Sequence, residues 1–347
     1  MSLARLFFLF SGEHENLPLS ELKAILEIEG FEYKVLEKLE QLARIEVSQD
    51  CVNRVLVRAA LARLCGLEMF ACNAKIAEIM KAVRVVDLAS AVKAGESFAV
   101  RIKRVKEYSP DVDTMALERM LGSLLLDANP KAKVKLRKPD KTFTGVLTSG
   151  KLVFGLTLAE IPAKPFVERR PRKKPFFHPS AMQAKLARCM VNLAKPKAGE
   201  LVVDPFCGTG TMLVEAAFVG CRVAGLDIQR RMARGTLRNL RHFGLNADGV
   251  VVGDVKHLPF RKVDCVVTDP PYGISSTTVK RGTEQLVEEL LRAVHGLLER
   301  GRRVCLASPK RLKIEKLGER LGYKHLESHF VYVHRSLTRQ IVVFEKV

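Results

Sequence analysis

The sequence contains no Cys-x-x-Cys pair, no apolar run of membrane-spanning length, no internal repeat and no tryptophan. Without paired cysteines at ligand spacing, no metal site is expected, and several of the eight cysteines (51, 65, 72, 189, 207, 221, 265, 305) lie inside apolar strand-like runs. They read as reduced core thiols. Glu13, His14 and Glu15 are neighbours in a polar loop, where such residues are ordinarily solvated and do not act as ligands. Leu3 to Phe10 is too short for a secretion signal, and no segment could cross a membrane, so a cytoplasmic protein is expected. The missing tryptophan excludes nothing. Scarce Asn and Gln beside abundant Lys, Arg and Glu is a thermophile bias.

Acidic residues are also in deficit, with 58 Lys+Arg against 38 Asp+Glu and a formal charge of +20. Residues 1–60 carry net −3, and residues 61–347 carry net +23. Such an excess points to a polyanionic partner, because phosphates offset the self-repulsion through counterion release. At 347 residues, 47% of them hydrophobic, the chain is long enough for two or three cores.

Alternating strands and helices over residues 1–60 predict a small α+β sandwich, with a last helix over Asn53 to Leu64. A second unit spans 61–162, with helices near Ile76 to Val85 and Thr114 to Asp127. Its strands lie near Ser97 to Val105, Lys133 to Leu136, Thr142 to Thr148 and Lys151 to Thr157. Arg101 and Lys103 punctuate one strand, while Lys133, Lys135, Arg137 and Lys138 follow another whose opposite face would carry Val134 and Leu136. Together they suggest a phosphate-contacting face. Residues 163–175 hold three prolines and six basic side chains, among them Arg169, Arg170, Arg172, Lys173 and Lys174, against one acidic residue. An extended, self-repelling linker able to lie along nucleic-acid backbone is expected there. From 176 onward, strands and helices alternate as in a doubly wound parallel sheet, and the chain ends in a hairpin of Ser328 to His334 with Arg339 to Glu345.

Chemistry-bearing residues gather at the carboxyl ends of these later strands. Asp204-Pro205-Phe206-Cys207-Gly208-Thr209-Gly210 follows one strand and opens a helix, so its glycines allow backbone to approach a ligand closely. A phosphate loop would favour a glycine where Leu213 stands and would not place Asp204 at the phosphate. A carboxylate suits a cation such as the sulfonium and ammonium of S-adenosylmethionine. Asp227, followed by Ile228, closes the next strand and could accept both ribose hydroxyls or simply cap a helix. Asp254, followed by Val255, could accept an adenine amine or form a plain turn. Sulfonium chemistry needs no thiol, so Cys207 is assigned packing alone.

The fourth strand, Val263 to Thr268, runs into Asp269-Pro270-Pro271-Tyr272. Two prolines stop the strand and fix a stiff corner. That corner offers a carboxylate, a proline carbonyl and a flat ring, a set that fits a planar amine. Ser275, Ser276, Thr277 and Thr278 could form a substrate-ordered loop. His334, Arg335 and Arg339 on the terminal hairpin could reach phosphate.

With Asp269-Pro270-Pro271-Tyr272 matching the signature tetrad, this half resembles a class I Rossmann-like methyltransferase of the amino-methylating group. Phe176-Phe177-His178-Pro179-Ser180-Ala181-Met182 resembles the donor-side segment of that fold. The N-terminal half is similar to a ferredoxin-like subdomain (1–60) followed by a THUMP RNA-binding domain (61–162). The whole chain resembles the archaeal tRNA guanosine-10 N2-methyltransferases. The resemblance implies S-adenosylmethionine bound by His178, Asp204 to Gly210, Asp227, Ile228, Asp254, Val255 and Asp269, with tRNA as substrate. It also implies catalysis by Asp269, Pro270, Pro271 and Tyr272, and a monomer is expected. The residues alone leave open an adenine-N6 enzyme, another guanine-N2 position in tRNA or rRNA, and an RNA-binding protein with an inert fold.

Overall fold

In the computed structural model, which describes residues 3–272, 282–335 and 337–347, apolar alternation and turn chemistry give two sheets in two compact units. The first unit takes residues up to Glu15, Phe31–Leu56 and Ala62–Pro162. Its eight strands are β1 (Leu3–Phe10), β2 (Tyr33–Leu39), β3 (Leu42–Ser48), β4 (Ala62–Asn73), β5 (Ser97–Arg104), β6 (Lys133–Val134), β7 (Lys141–Thr148) and β8 (Lys151–Glu160). They lie in the order β2-β3-β1-β4-β8-β7-β5-β6, with helices α3 (Ile76–Arg84) and α4 (Thr114–Ala128) packed against them.

The division expected near residue 60 is not a break between sheets, because β1 pairs with β3 on one side and β4 on the other. Strand β4 carries no signal in the local sequence pattern, which suggests a helix running on to Leu64; that helix, α2 (Cys51–Arg58), stops earlier. Within β4, Leu64, Cys65 and Gly66 are buried in succession, so the period of two that marks a half-solvated strand is lost there. Gly66 within it faces the Phe7 ring so closely that an added Cβ would lie 2.3 Å from it.

The basic segment 133–138 also departs from expectation. Only Lys133 and Val134 pair with β5, and Val134 and Leu136 are both exposed, so no apolar face is buried beneath the lysines. Arg101 donates to the Leu136 carbonyl at 2.7 Å and holds the segment to β5.

The second unit takes Asn16–Gly30, Val57–Leu61 and Ala163–Val347. Its strands are β9 (Leu201–Asp204), β10 (Arg222–Asp227), β11 (Gly249–Val252), β12 (Val263–Thr268), β13 (Leu298–Pro309), β14 (Tyr323–His334) and β15 (Leu337–Lys346). Their order is β11-β10-β9-β12-β13-β15-β14, the first five parallel and the last two an antiparallel hairpin. The helices around this sheet include α6 (Ala184–Leu193), α7 (Thr211–Phe218), α8 (Arg230–His242) and α9 (Thr283–His295). The first helix of the chain, α1 (Leu17–Ile28), belongs to this unit. Its buried Glu21 carboxylate accepts from the Ala60 and Leu61 amides and from Asn192 of α6. Burial pushes that carboxyl up to about 7, against the pull of those hydrogen bonds.

Residues 163–175 are no extended tether. Pro165 sits at the start of a short helix, α5 (Lys164–Glu168), where a missing N–H costs nothing, and Pro171 likewise opens a 3₁₀ turn. Arg169 is buried, makes two hydrogen bonds to Glu215 at 2.7 and 3.1 Å, and lies over the Phe166 and Phe218 rings. Arg188 reaches the same fully buried Glu215 at 2.9 Å. Lys174, also buried, donates to Thr211 Oγ1 at 2.7 Å and is pushed down to about 8 by burial. Arg169 and Lys174 are therefore structural cations and not RNA contacts, while Arg170, Arg172 and Lys173 remain exposed.

Removing one charge from a buried ion pair strands the others without compensation. Glu215→Gln should lower stability by about 3–5 kcal/mol in urea unfolding, whereas Arg170→Gln at the exposed neighbour should change it by less than about 0.5 kcal/mol.

Candidate active site

The parallel register brings the carboxyl ends of β9 and β12 side by side, and one hydrogen bond ties them together. Thr268, the buried last residue of β12, donates to Asp204 Oδ1 at 2.6 Å, and the Phe206 amide donates to the same oxygen at 3.0 Å. Among the described residues no donor reaches Oδ2. Burial pushes the Asp204 carboxyl up to about 7, the negative charges of Asp269 and Asp227 add to the rise, and the two hydrogen bonds oppose it. A buried carboxylate with an unengaged oxygen among like charges calls for a cationic ligand.

Beyond β9 the chain turns through Gly208 (φ +52°) and Gly210 (φ +77°) into α7. An added Cβ at Gly210 would lie 2.8 Å from Thr236. Asp227 at the end of β10 accepts from the Gly208 amide at 3.0 Å and the Gln229 amide at 2.8 Å, so it braces the loop as well as capping a helix. Each oxygen keeps a further acceptor site. Asp254 accepts from the Lys256 amide at 3.0 Å, the turn interaction that its position allowed.

One face of α8 holds this loop, a role the sequence did not disclose. Thr236 donates to the Gly208 carbonyl at 2.9 Å. The buried Asn239 donates to the carbonyls of Thr209 at 2.8 Å and Phe176 at 2.9 Å, and accepts from the Phe176 amide at 2.9 Å. It thereby clamps the segment before α6 onto the glycine loop. Gly235 admits the Phe176 ring, whose nearest atom would lie 2.0 Å from an added Cβ. The available signal was Gly-Thr-x-x-Asn interrupting an arginine-rich helix. Cys207 is buried, with its thiol pushed well up by burial and by Asp204, as a packing role requires.

After Thr268, the proline corner presents Asp269. Its Oδ1 accepts from the Tyr272 hydroxyl, and its Oδ2 lies 3.1 Å from the Arg339 guanidinium. Arg339 also donates to the Tyr272 hydroxyl at 3.3 Å and stands over that ring at 5.6 Å. Burial raises the Asp269 carboxyl, while Arg339 and the Tyr272 hydrogen bond hold it back. Arg339 is thus a site residue and not the phosphate contact that its place on the hairpin suggests. No local pattern marks it, because its neighbour is 70 residues earlier in the chain.

Two adjoining cavities receive these groups. One is lined by His178, Asp204, Phe206, Cys207, Gly208, Thr209, the Asp269 to Tyr272 corner and Arg339. The other brings Pro205, Asp227, Ile228, Asp254 and Val255 to His178, Phe206 and Gly208. Ser180 and Met182, from the segment that resembles the donor side, also line the walls, as do Thr211 and Met232, which no sequence motif marks as site residues. Ser275, Ser276, Thr277 and Thr278 lie outside the described residues. In the first unit, Lys103, Lys133, Lys135, Arg137 and Lys138 are exposed, and Arg101 is half-buried. On the terminal hairpin, His334 and Arg335 are exposed.

Among the described residues no group of three or more His, Cys, Asp or Glu side chains is placed to hold a metal ion, and no helix is long and apolar enough to cross a membrane. The family described as "RMKL-like, methyltransferase domain" matches residues 171–341, and the THUMP domain family matches residues 73–153. The chain is similar to the tRNA (guanine(10)-N2)-dimethyltransferase of Methanothermobacter thermautotrophicus, at 39% identity over 341 residues and 98% of each chain. It is 32% identical to the enzyme of the same name from Methanocaldococcus jannaschii, over 98% of this chain and 99% of that one. The crystal structure of TrmN from Thermus thermophilus shares the fold, with a TM-score of 0.56, 23% identity and coverage of 99% of this chain and 100% of that one. With both domains matched in order and identity sustained along nearly the whole length, the chain belongs to the tRNA (guanine(10)-N2)-dimethyltransferase family.

Proposed function

We propose that this protein transfers methyl groups from S-adenosylmethionine to the N2 amine of guanosine 10 in tRNA, once and then again, giving N2-methylguanosine and N2,N2-dimethylguanosine. The observation that carries the reading is the amine-sized corner of Asp269 and Pro270 at the end of β12, beside a cavity walled by a buried carboxylate, in a chain of this family.

S-adenosylmethionine supplies an electrophilic methyl group on a sulfonium. The residues present fit it: Asp204 offers a buried, unengaged carboxylate oxygen to a cation, and the glycine loop allows close backbone approach. Asp227, Ile228, Asp254, Val255 and His178 would enclose its nucleoside portion. A guanine exocyclic amine is a poor nucleophile because its lone pair is delocalised into the ring. If the Asp269 carboxylate and the Pro270 carbonyl each accept one N–H, the lone pair is freed and the developing positive charge is stabilised. Alignment at short range supplies much of the remaining acceleration. Asp269 acts first as an acceptor and takes the proton after attack. Arg339 favours the ionised form of that carboxyl and orients it, and Tyr272 offers its ring to the target base.

A base in a paired arm must leave its stack to enter such a pocket, which requires a separate grip on the RNA. Lys103, Lys133, Lys135, Arg137 and Lys138 of the first unit, with Arg101 beside them, serve that grip, and Arg170, Arg172, Lys173 and Arg335 add to it from the second. The 1–60 segment is assigned the ferredoxin-like role and 61–162 the RNA-binding role. All residues assigned to the chemistry come from one chain, so a monomer suffices. Eight free cysteines suit a cytoplasmic protein.

Incubation with S-adenosylmethionine and unmodified tRNA should yield N2-methylguanosine and N2,N2-dimethylguanosine at position 10 by mass-spectrometric nucleoside mapping; absence of both, with donor binding intact, would overturn the reading. Asp269→Ala should abolish product without loss of fold. Because Arg339 favours the ionised form of Asp269, Arg339→Met should move the acid limb of the rate profile to higher pH. Donor binding should also depend on pH. A cationic ligand favours ionised Asp204, which is protonated below about 7 in the free protein, so affinity should rise with pH through about 7 and level off above it. Calorimetry in buffers of different ionisation heat should register the released proton, and Asp204→Asn should weaken binding and flatten this profile.

A further inference from the structure

Tyr272 also lines a further concavity of about 630 Å³, formed by the turn after β13 and the terminal hairpin. Lys310, Arg311, Lys313 and Arg335 line it together with Tyr272 and Thr338, and among the described residues no acidic side chain lines it. Among the described residues, none of these four cations is held in an ion pair. Four neighbouring cations without counter-ions form a site of strong attraction for an anion.

Strand β14 contributes a second, independent feature beside this groove. It alternates buried His329 and Val331 with Phe330 and Tyr332, which are 54% and 73% exposed. Residues two apart on a strand share a face, so the two rings stand together on the outer side of the hairpin. Lys310 Nζ lies 4.7 Å from the Phe330 ring centroid, and Tyr332 pairs across the hairpin with Thr338 of the groove wall. The two exposed rings and the basic groove thus lie side by side. They match single-stranded nucleic acid, whose bases stack on aromatic faces while its phosphates meet Lys and Arg.

We propose that this groove and the Phe330 and Tyr332 rings bind nucleotides of the substrate strand next to the methylated guanosine that are single-stranded once that base has left its paired arm. The proposal rests on the tRNA methyltransferase reading and deepens it. Tyr272 lines both the groove and the cavity that holds Asp269, so a nucleotide whose amine reaches Asp269 has its neighbours over the groove. The catalytic unit thereby carries its own single-strand contact, separate from the basic surface of the first unit.

The test uses the full-length chain, a short fluorescein-labelled single-stranded RNA and an unmodified tRNA transcript, read by anisotropy across a salt series. Removing both rings takes away two stacking platforms, so Phe330→Ala/Tyr332→Ala should weaken single-stranded RNA binding at least about thirtyfold and raise the KM for tRNA. Donor affinity and thermal unfolding should match wild type, since both rings are exposed. Lys310→Gln/Lys313→Gln should lower the slope of log affinity against log salt by about 0.7 for each phosphate no longer neutralised. Unchanged RNA affinity in both double variants would overturn the proposal. So would polyglutamate displacing the RNA while the aromatic variant binds as wild type, which would mark a face for acidic protein. Wild-type protein that binds the oligonucleotide through these residues yet forms no N2-methylguanosine would leave the groove standing and remove the functional reading.

Discussion

Negative charge gathered at the carboxyl ends of parallel strands is the constraint on which the second unit depends. Asp204, Asp227 and Asp269 are brought close because β9, β10 and β12 run parallel and end at one edge of the sheet. Each carboxylate is stabilised differently. Asp227 accepts backbone amides of the loop and helix it braces, Asp269 has the Arg339 guanidinium, and Asp204 has neutral hydrogen bonds alone. The least compensated of the three has its carboxyl pushed up to about 7 and faces the cavity. A fold that concentrates like charge and, among the described residues, gives one of the three a counter-ion is prepared for a cationic ligand.

The same logic divides the basic residues into two classes with opposite consequences. Arg169, Arg188 and Lys174 lie inside the second unit around Glu215, where they help fix residues 163–175 against α6 and α7. Lys133, Lys135, Arg137 and Arg172 are exposed, and so are Lys310, Arg311 and Lys313 beside the proline corner. A count of positive charges cannot tell them apart. In the 163–175 run, six cations look like a single electrostatic feature, yet Arg169 and Arg170 are adjacent in sequence and face opposite environments. Turning the backbone into α5 and a 3₁₀ turn, rather than an extended tether, produces that division.

Much of the site was legible because its chemistry is local. The glycine loop, the three Asp residues that close strands and the Asp-Pro-Pro-Tyr corner each sit where a strand stops, and strand ends can be located from apolar runs and breakers. What escaped was non-local. Thr268 is an ordinary strand residue until β9 lies beside it, Asn239 is one polar residue in an arginine-rich helix, and Arg339 meets Asp269 only when the hairpin folds back. In the first unit, β4 escaped because the consecutively buried Leu64, Cys65 and Gly66 interrupt its alternation, so that stretch resembles the end of a helix.

The sequence by itself determined the strand and helix types from Leu201 onward, the positions of the strand-end carboxylates, the stiffness of the proline corner and the basic balance that suits a polyanionic partner. All of these follow from neighbours a few residues apart or from composition. Only the tertiary structure decided which cations are buried, which oxygens already carry hydrogen bonds, that one sheet runs through residues on both sides of position 60, and that Tyr272 walls two cavities. Those properties depend on distances between residues far apart in the chain, and such distances are set by strand order and packing, which no local pattern encodes.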